Sequence, residues 1–254
     1  MTEPSAAPAR RVLVTGASRG IGAAVASRLA SDGYRVAVHF ARSGGSARQV
    51  HGDLDGDGHL VIQADLRDPD QARALVEEAA EAWGGIDVLV NNAGVFLAHP
   101  IDGTDYGAWQ EIWRETLEVN LVGPANVTWA AVRHMGPGGR IINIGSRGAF
   151  RGEPNSPAYG ASKAAIAALG QSLAKDLGRR GIAVTTIAPG FVDTDMATEA
   201  MEGEAGVARR AESPFGRIAH ADEVAAAVAY LASPEAEWAS GGILDLNGAS
   251  YLRM

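Results

Sequence analysis

Short apolar segments alternate with longer helical segments along nearly the whole chain, and this alternation restricts the fold more than any other feature. Strand character is predicted for residues 11–15, 35–40, 59–63, 88–91, 140–145, 183–188 and 243–246. Helical periodicity is predicted between them, over residues 20–31, 68–83, 107–135, 158–180 and 222–232. Strands joined by helical crossovers run parallel, and the helices cover both faces of the sheet. The sequence therefore predicts an α/β fold with a doubly wound, seven-stranded parallel sheet.

One domain is expected, because a chain of 254 residues suits a single α/β unit with a substantial buried core. We predict a flexible Pro/Ala-rich tail over residues 1–10 and one domain over residues 11–254. Residues 193–217 form a long segment of mixed polarity without a strong period, and we interpret this segment as a lid over the substrate.

Charge and composition exclude several classes of function. The net charge of −8 argues against a nucleic-acid-binding protein and against a protein that binds anionic membranes. The chain has no cysteine, so disulfides, thiolate chemistry and cysteine-ligated zinc are impossible. Its six histidines lack metal-ligand spacing, and we predict no metal site. Because there is neither a signal peptide nor an apolar run of about 18 residues, a cytoplasmic location is expected.

A glycine-rich turn follows the first predicted strand and opens the first predicted helix. Strand, glycine turn and helix in this order are the context that indicates a dinucleotide site. Gly16 allows the tight turn, Gly20 lets the backbone approach a pyrophosphate, and Gly22 permits close packing of helix on strand. The helix N-terminus then faces the phosphates. The Gly-x3-Gly-x-Gly spacing differs from the commonest fingerprint, so the turn alone is a weak signal.

The end of the second predicted strand indicates which nicotinamide cofactor the chain uses. Sites for NAD place an acidic residue there to bind the ribose hydroxyl, whereas sites for NADP supply arginine. Here the strand ends at Phe40 without an acid, and Arg42-Ser43 follow, while Arg19 lies inside the glycine turn. Two guanidinium groups that converge on a phosphate are a good bidentate arrangement. NADP(H) is therefore the predicted cofactor.

Tyr159 and Lys163 are the strongest candidates for proton transfer. The only lysines among the 22 basic residues are Lys163 and Lys175, so this chain keeps a lysine one helical turn after a tyrosine although it otherwise prefers arginine. Ser156 is the predicted N-cap of this helix, with Pro157 as its first residue. A cation one turn away is expected to lower the pKa of the phenol. Ser146 ends a predicted strand thirteen residues earlier, at the sheet edge where ligands bind.

These motifs together resemble the short-chain dehydrogenase/reductase family, in its compact branch of about 250 residues. The resemblance covers nearly the whole chain beyond residue 10 and implies a Rossmann fold and a catalytic tetrad of Asn120, Ser146, Tyr159 and Lys163. In the family, the tyrosine protonates the developing alkoxide and the lysine hydrogen-bonds the nicotinamide ribose. The serine stabilises the substrate oxygen, and the asparagine holds a water in a proton relay to the lysine.

The same resemblance, together with the glycine turn and the two arginines, defines the predicted cofactor site. Asp65 and Leu66 would contact the adenine, and the turn after the fourth strand would support the adenosine ribose. The site comprises Tyr159, Lys163, Gly16, Ser18, Arg19, Gly20, Ile21, Gly22, Arg42, Ser43, Asp65, Leu66, Asn92, Ala93, Gly94, Pro189, Gly190, Val192 and Thr194.

The substrate is expected to be a small carbonyl compound. Residues 189–196, 225–233 and 246–248 resemble those of 3-oxoacyl-acyl-carrier-protein reductases, which implies a 3-oxoacyl thioester as substrate. Such enzymes dock an acidic carrier protein on basic residues, and Arg179-Arg180 fit one docking position. The loop of residues 136–139 has no cation where those enzymes carry one, so Arg133 or Arg140 would have to substitute.

Other assignments remain open at this point. Arg147, beside Ser146, would instead attract a small anionic substrate, and another ketone, aldehyde or alcohol is the alternative to a thioester. A protein that only senses NADPH would be expected to have lost the tyrosine or lysine. A sugar-nucleotide epimerase of the family's extended branch would be longer and carry Gly-x2-Gly-x2-Gly. The resemblance also implies a homotetramer in which helices 107–135 and 158–180 pair across an interface.

Overall fold

The computed structural model describes residues 9–194 and 203–253. Within these residues, seven parallel strands form one sheet in the order β3-β2-β1-β4-β5-β6-β7. The strands are β1 Arg11–Val14, β2 Arg35–Phe40, β3 Leu60–Gln63, β4 Val88–Asn91, β5 Arg140–Ile144, β6 Ala183–Pro189 and β7 Ile243–Leu246. The predicted doubly wound parallel sheet is therefore confirmed.

Helices cover both faces of this sheet. They are α1 Gly20–Ser31, α2 Gly44–Gly52, α3 Pro69–Trp83, α4 Tyr106–Leu117, α5 Gly123–Ala131, α6 Gly148–Arg151, α7 Pro157–Leu177, α8 Gly203–Ala211 and α9 Ala221–Ala232. One apolar core joins the sheet to α1, α2 and α9 through residues such as Leu29 and Val228. The other joins it to α3, α5 and α7 through residues such as Leu75 and Leu177. The five inner strands are buried on both faces, as expected for a parallel sheet, whereas the edge strands β3 and β7 are partly exposed.

Two predicted helices differ from the observed ones. The helix predicted over residues 107–135 is divided by a π-helical turn, Glu118–Val122, and its regular part ends at Ala131. The helix predicted over residues 158–180 ends at Leu177 and continues as a 3-10 turn, Gly178–Arg180. A π turn adds one residue to a helical turn, and such turns are frequent at functional sites.

The ends of the chain and the lid are only partly described. Residues 1–8 of the predicted tail and residues 195–202 of the predicted lid lie outside the described residues. Arg10 is held by a hydrogen bond to the carbonyl oxygen of Ala232 and lies against the ring of Tyr34. In the remainder of the predicted lid, α8 is helical, and the flanking residues Val192 and Ala219 form a β-bridge. Among the described residues, no helix is long and apolar enough to cross a membrane.

Candidate active site

A cleft of about 990 Å³ lies at the carboxyl ends of the strands. Every residue predicted to bind the cofactor lines it, from Gly16 after β1 to Thr194 beyond β6. Ser146, Tyr159 and Lys163 line it as well, whereas Asn120 lies behind its surface. The fold therefore brings the sequence-predicted residues together in one place. Within the described parts of the chain, no group of His, Cys, Asp or Glu is arranged to hold a metal ion.

The glycine turn packs so closely against its neighbours that Gly16 and Gly22 have no room for a side chain. Gly16 has φ +65°, and a Cβ there would lie 2.8 Å from the Cα of Ala93. A Cβ on Gly22 would lie 2.3 Å from the carbonyl oxygen of Gly16. The first hydrogen bond of α1 runs from the N–H of Ala23 to the carbonyl of Arg19. The N–H groups that precede Ala23 therefore have no partner within the helix. This cradle fits the pyrophosphate of a dinucleotide.

His39 holds the glycine turn in place, a role that sequence reasoning missed. Its Nδ1 accepts a hydrogen bond from the N–H of Gly16 at 3.0 Å, and its Nε2 lies 3.0 Å from the carbonyl oxygen of Ala64. Accepting at Nδ1 requires the proton on Nε2, which donates to Ala64. Burial lowers the pKa of His39 to about 4, so the ring stays neutral and keeps its acceptor at neutral pH.

The end of the cleft near β2 carries the two predicted arginines. Arg19 and Arg42 are exposed and line the cleft together with Ser43. Asp65, after β3, is paired with Arg67 at 2.5 Å. Hydrogen bonding from Arg67 lowers the pKa of this carboxyl, which therefore stays charged and bound to Arg67. The exposed arginines fit a phosphate on the adenosine ribose.

Tyr159 and Lys163 project from one face of α7 into the cleft. The Nζ of Lys163 donates to the carbonyl oxygen of Ile144 at 2.8 Å and lies 5.6 Å from the centre of the Tyr159 ring. Burial lowers the pKa of Lys163 to about 8. The ring of Phe96 packs edge-on against Tyr159 with centroids 4.9 Å apart. A compact ammonium group therefore lies beneath the phenol.

The prediction that this cation lowers the pKa of the phenol is wrong. Burial raises the pKa of Tyr159 to about 12, opposed by hydrogen bonding with Ser146, and Glu153 raises it further. The spacing of residues on a helix does not reveal how far the phenol is removed from water, and here desolvation has the larger effect. Tyr159 is therefore protonated at neutral pH, which is the state that a proton donor requires.

Asn120 acts through its neighbours. It lies in the π turn, and its Oδ1 accepts from the N–H of Val95 at 2.8 Å. Its Nδ2 donates to the carbonyl oxygen of Val95 at 3.0 Å and to the Oγ of Ser162 at 3.1 Å. These bonds hold the loop after β4 against α7. A Cβ on Gly94 in this loop would lie 3.3 Å from Asn120 Oδ1 and 3.5 Å from Lys163 Nζ. The predicted water relay from Asn120 to Lys163 stays a prediction.

The start of α7 is capped by His99, which sequence reasoning also missed. Ser156 occupies the N-cap position, but among the described residues its buried hydroxyl has no hydrogen-bond partner. Instead, the Nε2 of His99 accepts from the N–H of Ala158 at 3.1 Å, and its Nδ1 lies 2.8 Å from the carbonyl oxygen of Leu97. Trp109 packs against the buried imidazole. The residue before Tyr159 is thereby fixed from outside its own helix.

All four arginines considered for carrier docking have partners within the chain, but only one of them is buried. Arg140 is buried, donates to the carbonyl of Ser233 and lies 3.5 Å from Glu237, so the suggestion that it substitutes for a docking cation is wrong. Arg180 donates to the carbonyl oxygens at the end of α5. Arg179 is exposed beside Asp176, and Arg133 stacks on Trp129 with its guanidinium 3.3 Å from the ring centre.

Comparisons with known proteins agree with this geometry. A family model described as enoyl-(acyl carrier protein) reductase matches residues 16–248. The chain is 39% identical over 242 residues to an uncharacterized oxidoreductase of Methylorubrum extorquens, covering 93% of this chain and 95% of the relative. It is 38% identical over 242 residues to the 3-oxoacyl-acyl-carrier-protein reductase FabG of Vibrio cholerae, covering 94% and 96%.

A solved structure has the same fold. It is a short chain dehydrogenase from Burkholderia cenocepacia in complex with NADP, which superposes with a TM-score of 0.88 at 41% identity. The match covers 95% of this chain and 97% of the other. With the sheet order, the glycine turn and the Ser-Tyr-Lys group in agreement, the chain belongs to the short-chain dehydrogenase/reductase family of oxidoreductases.

Proposed function

We propose that the protein is a reductase of 3-oxoacyl thioesters that uses NADPH. The observation that carries this proposal is that Ser146, Tyr159 and Lys163 line the same cleft as the dinucleotide cradle, where burial keeps Tyr159 protonated. The 38% identity with a 3-oxoacyl-acyl-carrier-protein reductase over 94% of the chain supports the substrate class. NADPH, when bound, supplies the hydride that carbonyl reduction needs.

The chain's own residues orient the substrate and handle one proton. The hydroxyl of Ser146 would donate to the substrate oxygen and stabilise the charge that develops there. The N–H of Gly148 donates to Ser146 Oγ at 3.0 Å, so the hydroxyl proton is left free to point into the cleft. Tyr159 would then give its proton to the same oxygen. Lys163, whose pKa is lowered to about 8 by burial, is poised to restore that proton near neutral pH.

A small free ketone is the second candidate substrate. It is favoured by the burial of Arg140, which removes one of the cations that a carrier protein would need. Arg133, Arg179 and Arg180 are the exposed cations that remain of the set considered for docking. We also propose that an acyl carrier protein presents the substrate. Because this is a separate claim from thioester reduction, it needs a separate test.

The test measures NADPH-dependent turnover of acetoacetyl thioesters of CoA and of acyl carrier protein beside that of simple ketones. We expect the thioesters to have the higher kcat/KM, with Tyr159→Phe as the inactive control. If simple ketones react far faster than both thioesters, the substrate assignment is wrong. Equal kcat/KM for the two thioesters would remove the carrier protein from the proposal.

Assembly into a homotetramer is also proposed. The sequence Glu118–Ala131, which comprises the π turn and α5, exposes large apolar side chains including Val122 and Trp129, at 48% and 55%. Apolar side chains exposed together on one helical face mark a surface that another protein covers. Light scattering at micromolar concentration should give four times the chain mass, and a monomeric mass would reject this assembly.

A further inference from the structure

Arg147, the residue after Ser146, is almost completely buried in the wall of the cleft. Its side chain is 3% exposed, and its backbone N–H donates to the carbonyl of Pro189 at 2.9 Å. One guanidinium nitrogen, Nη2, is bonded to the carboxylate of Glu212. The other, Nη1, is buried and has no hydrogen-bond partner in the described part of the chain. The guanidinium of Arg147 is therefore fixed by Glu212 through one terminal nitrogen, while the other terminal nitrogen lacks an acceptor among the described residues.

Arginine side chains surround the aromatic ring that lies beside it. The guanidinium groups of Arg147, Arg151 and Arg209 lie 4.9, 5.9 and 5.4 Å from the ring centre of Phe191. We call these three residues the arginine wall. Glu212, just beyond α8, also accepts from Arg151 at 3.1 Å. All of these residues line the cleft on the side of Ser146.

The electrostatic environment of Arg147 favours an additional anion. Burial, followed by the neighbouring charge of Arg151, lowers the pKa of Arg147, and the carboxylates of Glu212 and Glu153 oppose this shift only in part, while the guanidinium stays charged at neutral pH. A buried N–H of a cation without an acceptor is costly, and an acceptor that enters the cleft removes that cost. The planar fork of arginine matches the geometry of carboxylates and phosphates, and a carboxylate is the smaller of the two.

A second cavity lies on the other side of Arg147. It has a volume of about 380 Å³ and is lined by Phe191, Phe215 and Leu246 as well as by Arg147. Arg147 therefore contributes to the walls of both cavities. Because Nη1 is shielded from solvent, a substrate group that passes Ser146 reaches it only after a side chain of the wall, such as that of Glu212, moves aside.

We propose that the arginine wall is a subsite for a carboxylate that the substrate carries beyond its reacting carbonyl. This rests on the proposed function, because the carbonyl is placed by Ser146 and Tyr159. The substrate carboxylate binds Nη1 of Arg147, next to the nitrogen that Glu212 occupies. The preferred substrates are then short oxo compounds with a terminal carboxylate, and a plain alkyl end of the same length fits this charged wall poorly.

Two matched pairs of substrates test this proposal. The first pair is the N-acetylcysteamine thioesters of 3-oxoadipate and 3-oxohexanoate, which differ by a terminal carboxylate in place of a methyl group. The second pair is 4-oxopentanoate and 2-pentanone, which repeat that difference without the thioester. We expect kcat/KM with NADPH to be at least about 10-fold higher for the carboxylate member of a pair, the scale of a charge-assisted hydrogen bond.

The pairs separate failure of the subsite from failure of the proposed function. Equal kcat/KM within both pairs, or a preference for the methyl end, overturns the subsite and leaves thioester reduction standing. A preference for 4-oxopentanoate over 2-pentanone without turnover of either thioester supports the subsite and overturns the thioester assignment.

Variants distinguish recognition from a purely structural ion pair. Arg147→Met should reduce the preference for the carboxylate member by about 10-fold, and Arg147→Lys should recover part of it. Glu212→Gln removes the competing internal carboxylate and should raise the preference by about 3-fold or more. Arg28→Met, which neutralises an arginine paired with Asp32 on the surface, is the matched control and should leave the preference unchanged.

The two substitutions are expected to change the preference in opposite directions. An ion pair that only fastens α8 to the cleft wall predicts lower stability in both variants and the same preference as the wild type, and that result overturns the proposal. If Arg147→Met does not fold, Glu212→Gln decides: an unchanged or smaller preference contradicts the subsite, and a larger one supports it.

Discussion

The cofactor half of the cleft is built mainly from backbone, whereas the substrate half is built mainly from charged side chains. In the cofactor half, the turn from Gly16 to Gly22 leaves no room for a Cβ at either end. In the substrate half, Arg147, Arg151 and Glu212 form ion pairs beside Ser146. A site made of backbone tolerates almost no change in shape, whereas a site made of ion pairs can change its ligand by exchanging single side chains. The difference explains how one cofactor can serve many substrates on the same fold.

The largest effect is expected at the border between the two halves. Tyr159→Phe and Lys163→Arg should each lower kcat by at least about 10²-fold, the scale of positioned acid–base catalysis. Arginine cannot place a compact charge beneath the phenol, and it does not deprotonate near neutral pH. Binding of NADPH by Tyr159→Phe, followed by fluorescence titration, should remain because the cradle is made of backbone. Wild-type turnover in a folded Lys163→Arg variant would contradict the role assigned to the lysine.

The backbone half should fail when one methyl group is added. A Cβ on Gly22 would lie 2.3 Å from Gly16 O and 2.5 Å from Asn92 Nδ2, so Gly22→Ala forces the turn apart. We expect at least about 10-fold weaker NADPH binding and a loss of about 1–3 kcal/mol in the free energy of unfolding. Gly52→Ala, at the end of α2, is the control because no atom lies within 4 Å of its Cβ position. Similar titration and urea curves for the two variants would show that the turn is not sterically closed.

Burial of the charged Lys163 should lower the free energy of unfolding of the wild type. Because burial lowers the pKa of Lys163 from 10.5 to about 8, the unfolded chain binds more protons between these values. The wild type should therefore become more stable as pH rises through this interval. Lys163→Met removes the buried charge and should raise the free energy of unfolding at pH 7 by about 2 kcal/mol, after loss of the bond to Ile144.

The advantage of Lys163→Met is pH-dependent. It should be largest at pH 7, where the unfolded and folded lysine are both charged, and should fade as pH rises above 8. Urea unfolding of both proteins at pH 7 and at about pH 10 measures the difference. A variant that is less stable than the wild type at pH 7 would mean that the ammonium contributes more than its desolvation costs.

The smallest effect is expected where the cofactor half does depend on side chains. Arg42 is exposed at the β2 end of the cleft, and Arg42→Asp should remove a preference for NADPH over NADH of at least about 10-fold. Arg48→Asp, exposed on α2 outside the cleft lining, makes the same change in charge as a control. Isothermal titration with both cofactors measures the ratio, and a persistent preference in Arg42→Asp would contradict this assignment.

The sheet could be predicted from the sequence to within one residue at each strand end. Strands buried on both faces are continuous apolar runs, and such runs have clear ends. The helices were harder to predict, because helix α2 begins with Gly44-Gly45, which have low helix propensity. The π turn at Glu118–Val122 continues the helical pattern on both sides, so a period of 3.6 residues does not reveal its extra residue.

The candidate site was predictable in its residues but less so in its physics. Motifs place Ser146, Tyr159 and Lys163 in order, yet the pKa of the phenol depends on burial that no local pattern reveals. Likewise, a histidine such as His99 can be recognised as a cap only when the helix it caps is packed against it. Arg147 would be expected on the surface from its charge alone, and only the fold shows it buried.

The strand order has a consequence for how the chain can assemble while it is being synthesised. In the order β3-β2-β1-β4-β5-β6-β7, every new strand joins an outer edge of the sheet that already exists. No strand has to insert between two paired neighbours, so the sheet can grow in the sequence in which the ribosome releases it. The glycine cradle beside β1 is complete once β4 has paired with β1, well before Tyr159 emerges. Growth changes sides once, after β3, so one edge of β1 stays unpaired until β4 joins it.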